Sequence, residues 1–133
     1  MNNSESIFGN TVYSYSRKQA IEDGVLVDVS ETPEAIEAGF KFPVAVTRTV
    51  WDQCVEVPAG VIGQDIPGRL WDLLYMLRIA IQHSERRTDT VYLDLHVRND
   101  NREGEPPLVS LKAVCGPGDH GEKVITVMHP SED

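Results

Sequence analysis

Between Ile66 and Ser84 the chain reads IPGRLWDLLYMLRIAIQHS, and this run constrains what the rest can fold into. At about 100° per residue, Ile66, Leu70, Leu73, Leu74, Leu77, Ala80 and Ile81 fall on one arc, which predicts a helix laid against a core. Pro67 suits the first turn, where its missing N–H is no loss, and Asp65 just upstream is a natural N-cap. Trp71, Tyr75 and Ile79 form a second apolar stripe at i,i+4 steps, interrupted by Arg78 and Gln82. Arg69, Asp72 and His83 mark a narrower polar side, with Met76 among them. A helix apolar on two sides lies between two layers, or between its own core and a partner. The second stripe is therefore expected to be buried within the monomer, buried in a homodimer, or presented to another protein.

The chain's 133 residues are enough for one domain that buries a core without disulfides or metal. No linker, repeat or low-complexity tract divides it, so a single domain over 1–133 is expected, with residues 1–6 frayed. No stretch resembles a membrane span, and MNNSESIFGN lacks the basic start and apolar centre of a signal peptide. A cytoplasmic protein without membrane contact is the resulting expectation. Cys54 and Cys115 are far apart with no CxxC spacing, as suits free thiols in a reducing compartment. The net charge of −9 disfavours direct binding to phosphate backbones. The acids concentrate toward the front: residues 1–66 hold ten acids against four bases, and residues 67–133 hold eleven against eight. That balance serves solubility, and it also suits a partner with a basic surface.

In chain order, TVYSY at 11–15 alternates as a short strand does. Ser16 can then cap a helix over Arg17 to Asp23 that Gly24 ends. VLVDV at 25–29 reads as a second extended piece. Thr32 followed by Pro33 marks another helix start, and Gly39 its end. Phe42 to Val46 is a brief apolar run. Thr47 can cap a helix from Arg48 to about Val55, in which Val50, Trp51, Cys54 and Val55 share a face and Cys54 is a packed small apolar residue. EVPAGVIGQD at 56–65 is a loop leading to the main helix.

After Ser84 the period changes to two. Val91, Leu93, Leu95 and Val97 alternate with Tyr92, Asp94, His96 and Arg98, and Val109, Leu111, Ala113 and Cys115 repeat the pattern. A third strand is expected over 123–128, completing an antiparallel meander whose apolar face covers the central helix. Its far face would show Tyr92, Asp94, His96, Ser110 and Lys112, with Asp94 or His96 across from Lys112. The predicted class is α+β: short N-terminal helices and strands, then a central buried helix at about 66–84 packed on a C-terminal three-stranded meander.

The search for chemistry assigns no catalytic residue, no metal ligand and no cofactor. His83, His96, His120 and His129 lack metal-ligand spacing, Cys115 beside Gly116-Pro117-Gly118 has no paired base, and no phosphate-loop signature occurs. The most suggestive stretch is Tyr13 to Lys18. There two rings, a hydroxyl cap and two cations meet at an expected helix N-terminus, where free N–H groups favour an anion. Tyr13, Tyr15 and Arg17, with Asp28 returning nearby, are the candidate residues for a nucleotide or phosphorylated ligand. A capped surface helix, with Arg17 paired to Glu22 or Asp23, accounts for the same residues without a ligand.

The runs YSYSRKQAIEDGVLVDVSE (13–31), FPVAVTRTVW (42–51), GRLWDLL in the central helix, VRNDN, and LKAVCGPGDHGEKVITVM (111–128) resemble a family of small uncharacterised proteins found on bacterial plasmids, integrative elements and phages. The resemblance spans nearly the whole chain. It implies a setting in which small acidic proteins often block host defence enzymes or help maintenance, and it carries over no active-site residue.

Two functions stay open. One is a non-enzymatic acidic binding protein that meets a host defence or nucleic-acid-handling factor through Trp71, Tyr75 and Ile79, steered by Glu22, Asp23, Glu34 and Glu37, with mimicry of nucleic acid as a narrower form. The other is a small enzyme or sensor that takes a nucleotide or phosphate at the Tyr13–Arg17 corner.

Overall fold

A computed structural model describes residues 15–85 and 88–132. The elements run α1 (Arg17–Glu22), β1 (Leu26–Asp28), α2 (Pro33–Ala38), β2 (Val44–Thr47), α3 (Arg48–Val50) continued by a π-helical turn (Trp51–Val55), α4 (Ile66–Gln82), β3 (Thr90–His96), β4 (Leu108–Pro117) and β5 (Lys123–Met128). The starts expected from sequence are capped as expected. Ser16, Thr32, Thr47 and Asp65 each accept from a backbone N–H of the first turn that follows. Gly39 ends α2 with φ +83°, a conformation that glycine adopts without a Cβ penalty. Of the expected strand at 11–15, residues 11–14 lie outside the described residues, and Tyr15 is not in a strand.

The meander β3-β4-β5 is present and antiparallel throughout. It is extended by the two short front strands into a five-stranded sheet of order β1-β2-β5-β4-β3. β2 joins β5 in parallel, with Val44, Ala45 and Val46 beside Ile125, Thr126 and Val127. One face carries Leu93, Leu95, Leu111, Ala113, Ile125, Val127, Val44 and Val46, all buried. Against it lie α4 and α2, with α4 resting on β3, α2 and the π turn. Leu70, Leu73, Leu74 and Leu77 are the part of the α4 arc that is fully enclosed. Ile66 and Ala80 are half-buried and Ile81 is exposed, bordering a cavity that it lines with Val91, Ala113 and Cys115.

The register corrects the pairing expected on the outer face. Tyr92 stands across from Lys112 and Asp94 across from Ser110, whose hydroxyl donates to Asp94 Oδ1 at 2.6 Å. The long connection from Val97 to Pro107 lets β4 begin with Leu108 opposite His96, which sets that offset. His96 is held by the same connection, through Glu105 Oε2 at 3.3 Å and the Pro106 carbonyl at 2.7 Å.

A second correction concerns Arg69, placed by its spacing on the polar side of α4 but only 5% exposed. The segment from Arg48 to Val55 ends in a widened turn, with Glu56 N–H reaching back to the Trp51 carbonyl at 2.8 Å. A helix end leaves its last carbonyls without intrahelical donors. Arg69 supplies them: Nε donates to the carbonyls of Cys54 and Val55, each at 3.1 Å, and Nη2 to that of Gln53 at 3.1 Å. Nη1 reaches the Arg98 carbonyl at 2.6 Å. Burial lowers the Arg69 pKa, and Glu56 works against that shift. Cys54 beneath it is packed as expected, and burial pushes its thiol up to about 11.

Candidate functional site

The two candidate regions from sequence lie on opposite faces of the sheet. On the helical side, Trp71 and Tyr75 stand one turn apart on α4 with ring centroids 5.7 Å apart. Trp71 is half-buried against the core, whereas Tyr75 is 47% exposed. Ile79 continues the stripe, half-buried. The second stripe is thus neither core nor fully free: its base packs inward and its crest is open in the monomer.

Beside it, α2 packs against α4 by turning the small side chains of Ala35 and Ala38 inward. The geometry of a six-residue helix that buries those positions sends Ile36 outward, where it is 68% exposed. Sequence reasoning passed over Ile36, although the spacing Ala35-Ile36-Ala38 carries the signal. Glu34 is half-buried and Glu37 is exposed on the same helix. The helical layer therefore presents exposed apolar side chains and carboxylates together, with Tyr75 on one helix and Ile36 and Glu37 on its neighbour.

Glu22 and Asp23 do not join that surface. They belong to the α1 region, which sits on the other face of the sheet, where Ala20, Ala45, Val124 and Met128 are buried. α1 is stitched down at its start: the backbone N–H groups of Arg17 and Lys18 donate to Asp119 at 2.8 and 2.9 Å, and that of Gln19 donates to Ser16 Oγ at 2.9 Å. The anion expected at this helix N-terminus is thus the chain's own Asp119. Those two backbone donors hold its carboxyl below the usual carboxylate range. The Arg17 guanidinium reaches Thr126 Oγ1 at 2.7 Å and the Ile125 carbonyl at 3.0 Å. Burial lowers its pKa, and the nearby charges of Asp28, Asp119 and Glu122 oppose that shift. Tyr15 donates its hydroxyl to Asp23, which raises the Tyr15 pKa. Arg17 is therefore not paired to Glu22 or Asp23 among the described ion pairs. Tyr13 lies outside the described residues.

Between α1 and the outer face of the sheet runs a groove of about 750 Å³, lined by Tyr15, Arg17, Thr47, Arg48, Val114 and Thr126 among others. Asp28 does not line it, standing instead with Arg17, Lys18 and Glu22 around a shallower recess on the far side of α1. Among the described residues, no three His, Cys, Asp or Glu side chains are grouped as a metal ion would need. None of the described helices is long and apolar enough to cross a membrane.

The chain belongs to the family of unknown function DUF6573, whose model matches residues 1–133. No curated protein and no solved structure matches it.

Proposed function

We propose that this protein is a non-enzymatic binding protein of a mobile genetic element, and that it docks the α2/α4 face on a basic surface of a host defence or nucleic-acid-handling protein. The observation that carries the reading is the Trp71–Tyr75 pair: its inner ring is anchored on the core while its outer ring is 47% exposed. An aromatic so placed loses little rotamer freedom on binding and offers a large apolar area, which is why such residues dominate interface energetics. The neighbouring helix α2, packed against α4, adds exposed Ile36 and Glu37 and half-buried Glu34 to the helical layer. The net charge of −9 steers encounter with a basic partner. The mobile-element setting comes from the sequence resemblance described above.

A photo-crosslinking residue at position 75, introduced into the full chain in cells, tests this reading. The expected product is a discrete adduct with a basic host protein, absent when the same residue replaces Glu22 on the opposite face. Equal adducts from both positions, or none from position 75, would contradict it.

A second reading rests on the groove at α1, where Arg17, Arg48 and the hydroxyls of Thr47 and Thr126 line the space next to Tyr15. The two guanidinium groups suit the phosphate of a small nucleotide or phosphorylated ligand, against the carboxylates of Asp23, Asp119 and Glu132 in the same lining. Thermal stabilisation by one member of a nucleotide panel, lost in Arg48→Ala, is the expected sign of it. A flat response across the panel counts against it.

A further inference from the structure

The two edges of the sheet are built differently. β1 is an edge of three residues, too short to template another strand. The opposite edge, β3, runs for seven residues, TVYLDLH, without the proline, glycine, lysine or bulge that commonly blunts an exposed edge.

Which backbone groups face outward follows from the register. The Cys115 N–H donates to the Asp89 carbonyl at 2.7 Å, and the Val97 N–H to the Pro107 carbonyl at 3.0 Å. In an antiparallel pair, hydrogen-bonded positions alternate with positions whose N–H and C=O point away. The odd-numbered residues of β3 therefore bond to β4, and Thr90, Tyr92, Asp94 and His96 aim their backbone groups off the edge. The Thr88 hydroxyl engages both groups of Thr90. Tyr92, Asp94 and His96 have no such local substitute among the described residues.

We infer that this edge pairs with the same edge of a second copy, antiparallel and with Leu93 on the two-fold axis. The sequence of the strand selects that partner and that register. Centred on Leu93, Tyr92 of each copy stands across from Asp94 of the other, Val91 across from Leu95, and Thr90 across from His96. The apolar members continue the covered face of the sheet into the second copy, and the polar members continue its outer face. Tyr92 and Asp94 exchange both backbone bonds in each of the two symmetry-related pairs. Shifting the centre to Asp94 sets two carboxylates directly opposite, which is unfavourable. Shifting it to Tyr92 leaves Leu95 facing Asp89. An odd shift puts buried side chains on the outer face. Centring on Leu95 keeps only Asp94 to His96 paired within the strand, whereas the Leu93 register pairs all seven residues compatibly, and it joins two five-stranded sheets into one.

The interface lies at the sheet edge on which α4 rests. It is tested on the full chain by sedimentation together with residue-resolved hydrogen exchange. Concentrating the protein is expected to double its molar mass, and to slow exchange at the Tyr92 and Asp94 amides about tenfold relative to dilute protein. Two substitutions at the 69% exposed Tyr92 fix the register. Tyr92→Asp places a carboxylate against Asp94 of the other copy and is expected to give a monomer. Within its own chain that carboxylate faces Lys112, so at dilutions where the parent is also monomeric the two are expected to melt together. Tyr92→Lys places a cation against Asp94 and is expected to remain dimeric. A chain monomeric at every concentration overturns the inference, as does a Tyr92→Asp variant as dimeric as the parent. A dimer whose edge amides exchange freely overturns it too, because the contact would then lie elsewhere. Edge amides protected equally at all dilutions in a monomer would assign the edge to another segment of the same chain, with the same result.

Discussion

Arg69 and Asn99 brace one another across the fold: the guanidinium Nη2 donates to Asn99 Oδ1 at 2.7 Å, and Asn99 Nδ2 donates to the Gln53 carbonyl at 2.9 Å. Together they cap the end of the α3/π segment from two directions, one from the central helix and one from the connection after β3. A buried guanidinium whose donors reach carbonyl oxygens satisfies those carbonyls and itself at once. This pair ties the last turn of the α3/π segment to the helix and to the meander, and so fixes the layer that carries Trp71 and Tyr75.

Replacing Arg69 by Met strands several buried carbonyls and is expected to cost about 3 kcal/mol in denaturant unfolding. Arg69→Lys recovers only part of this, since an ammonium cannot reproduce the planar fork. Asn99→Ala costs about 1 kcal/mol. The double variant falls short of the sum, because the two residues share the Gln53 carbonyl. Full additivity in that cycle would mean that the residues do not act as one cap.

Asp119 gives the acid limb of stability a defined origin. Its folded pKa is depressed by the N–H groups of Lys18 and Arg17, so its contribution is present above the unfolded carboxylate value of about 3.9 and is lost as pH falls through the lower folded value. Asp119→Asn should flatten that part of the stability profile below about pH 4 and leave the slope between pH 6 and 8 unchanged. Unfolding titrations at stepped pH measure both windows. An unchanged acid limb would contradict the assignment.

The two thiols should separate cleanly under a thiol-specific reagent. Cys54 is buried beneath the Arg69 cap with its pKa pushed up to about 11, whereas Cys115 is half-buried. At neutral pH the folded protein is expected to release one equivalent of reagent product, from Cys115, and a second only in denaturant. Two equivalents from the folded chain would show that the cap opens readily.

Leu73 lies on the centre line of α4 and is fully enclosed. Leu73→Ala leaves a cavity between helix and sheet and is expected to cost about 3 kcal/mol, read as a lowered midpoint in urea with the slope retained. A loss below about 1 kcal/mol would mean that the helix can settle onto the sheet and close the gap.

Much of the local structure was legible because its causes are local. Thr32 before Pro33, Gly39 at the end of that helix, Asp65 before Pro67 and the alternation from Val91 to Val97 each announce an element through the few residues around it. What escaped reading depends on partners remote in the chain. The parallel pairing of Val44–Val46 with Ile125–Val127, the insertion of Arg69 under a widened turn, and the filling of the α1 N-terminus by Asp119 carry no periodic signal. The site divides in the same way. Trp71, Tyr75 and Ile79 share a stripe because helix geometry requires it, but only the packed structure sets α2, which exposes Ile36 and Glu37, against α4. It also puts Glu22 and Asp23 on the opposite face.

The central claim is that the crest of α4 is a contact surface whose outer ring, Tyr75, does not have to be there for folding, and Tyr75→Ala tests it most directly. Melting and capture of the crosslinked host partner are measured side by side, with Trp71→Ala as the comparison. Tyr75→Ala is expected to change stability by less than about 0.5 kcal/mol while abolishing capture, and the parent's capture should weaken with added salt. A stable Tyr75→Ala protein that still captures the partner at parental levels would contradict the account.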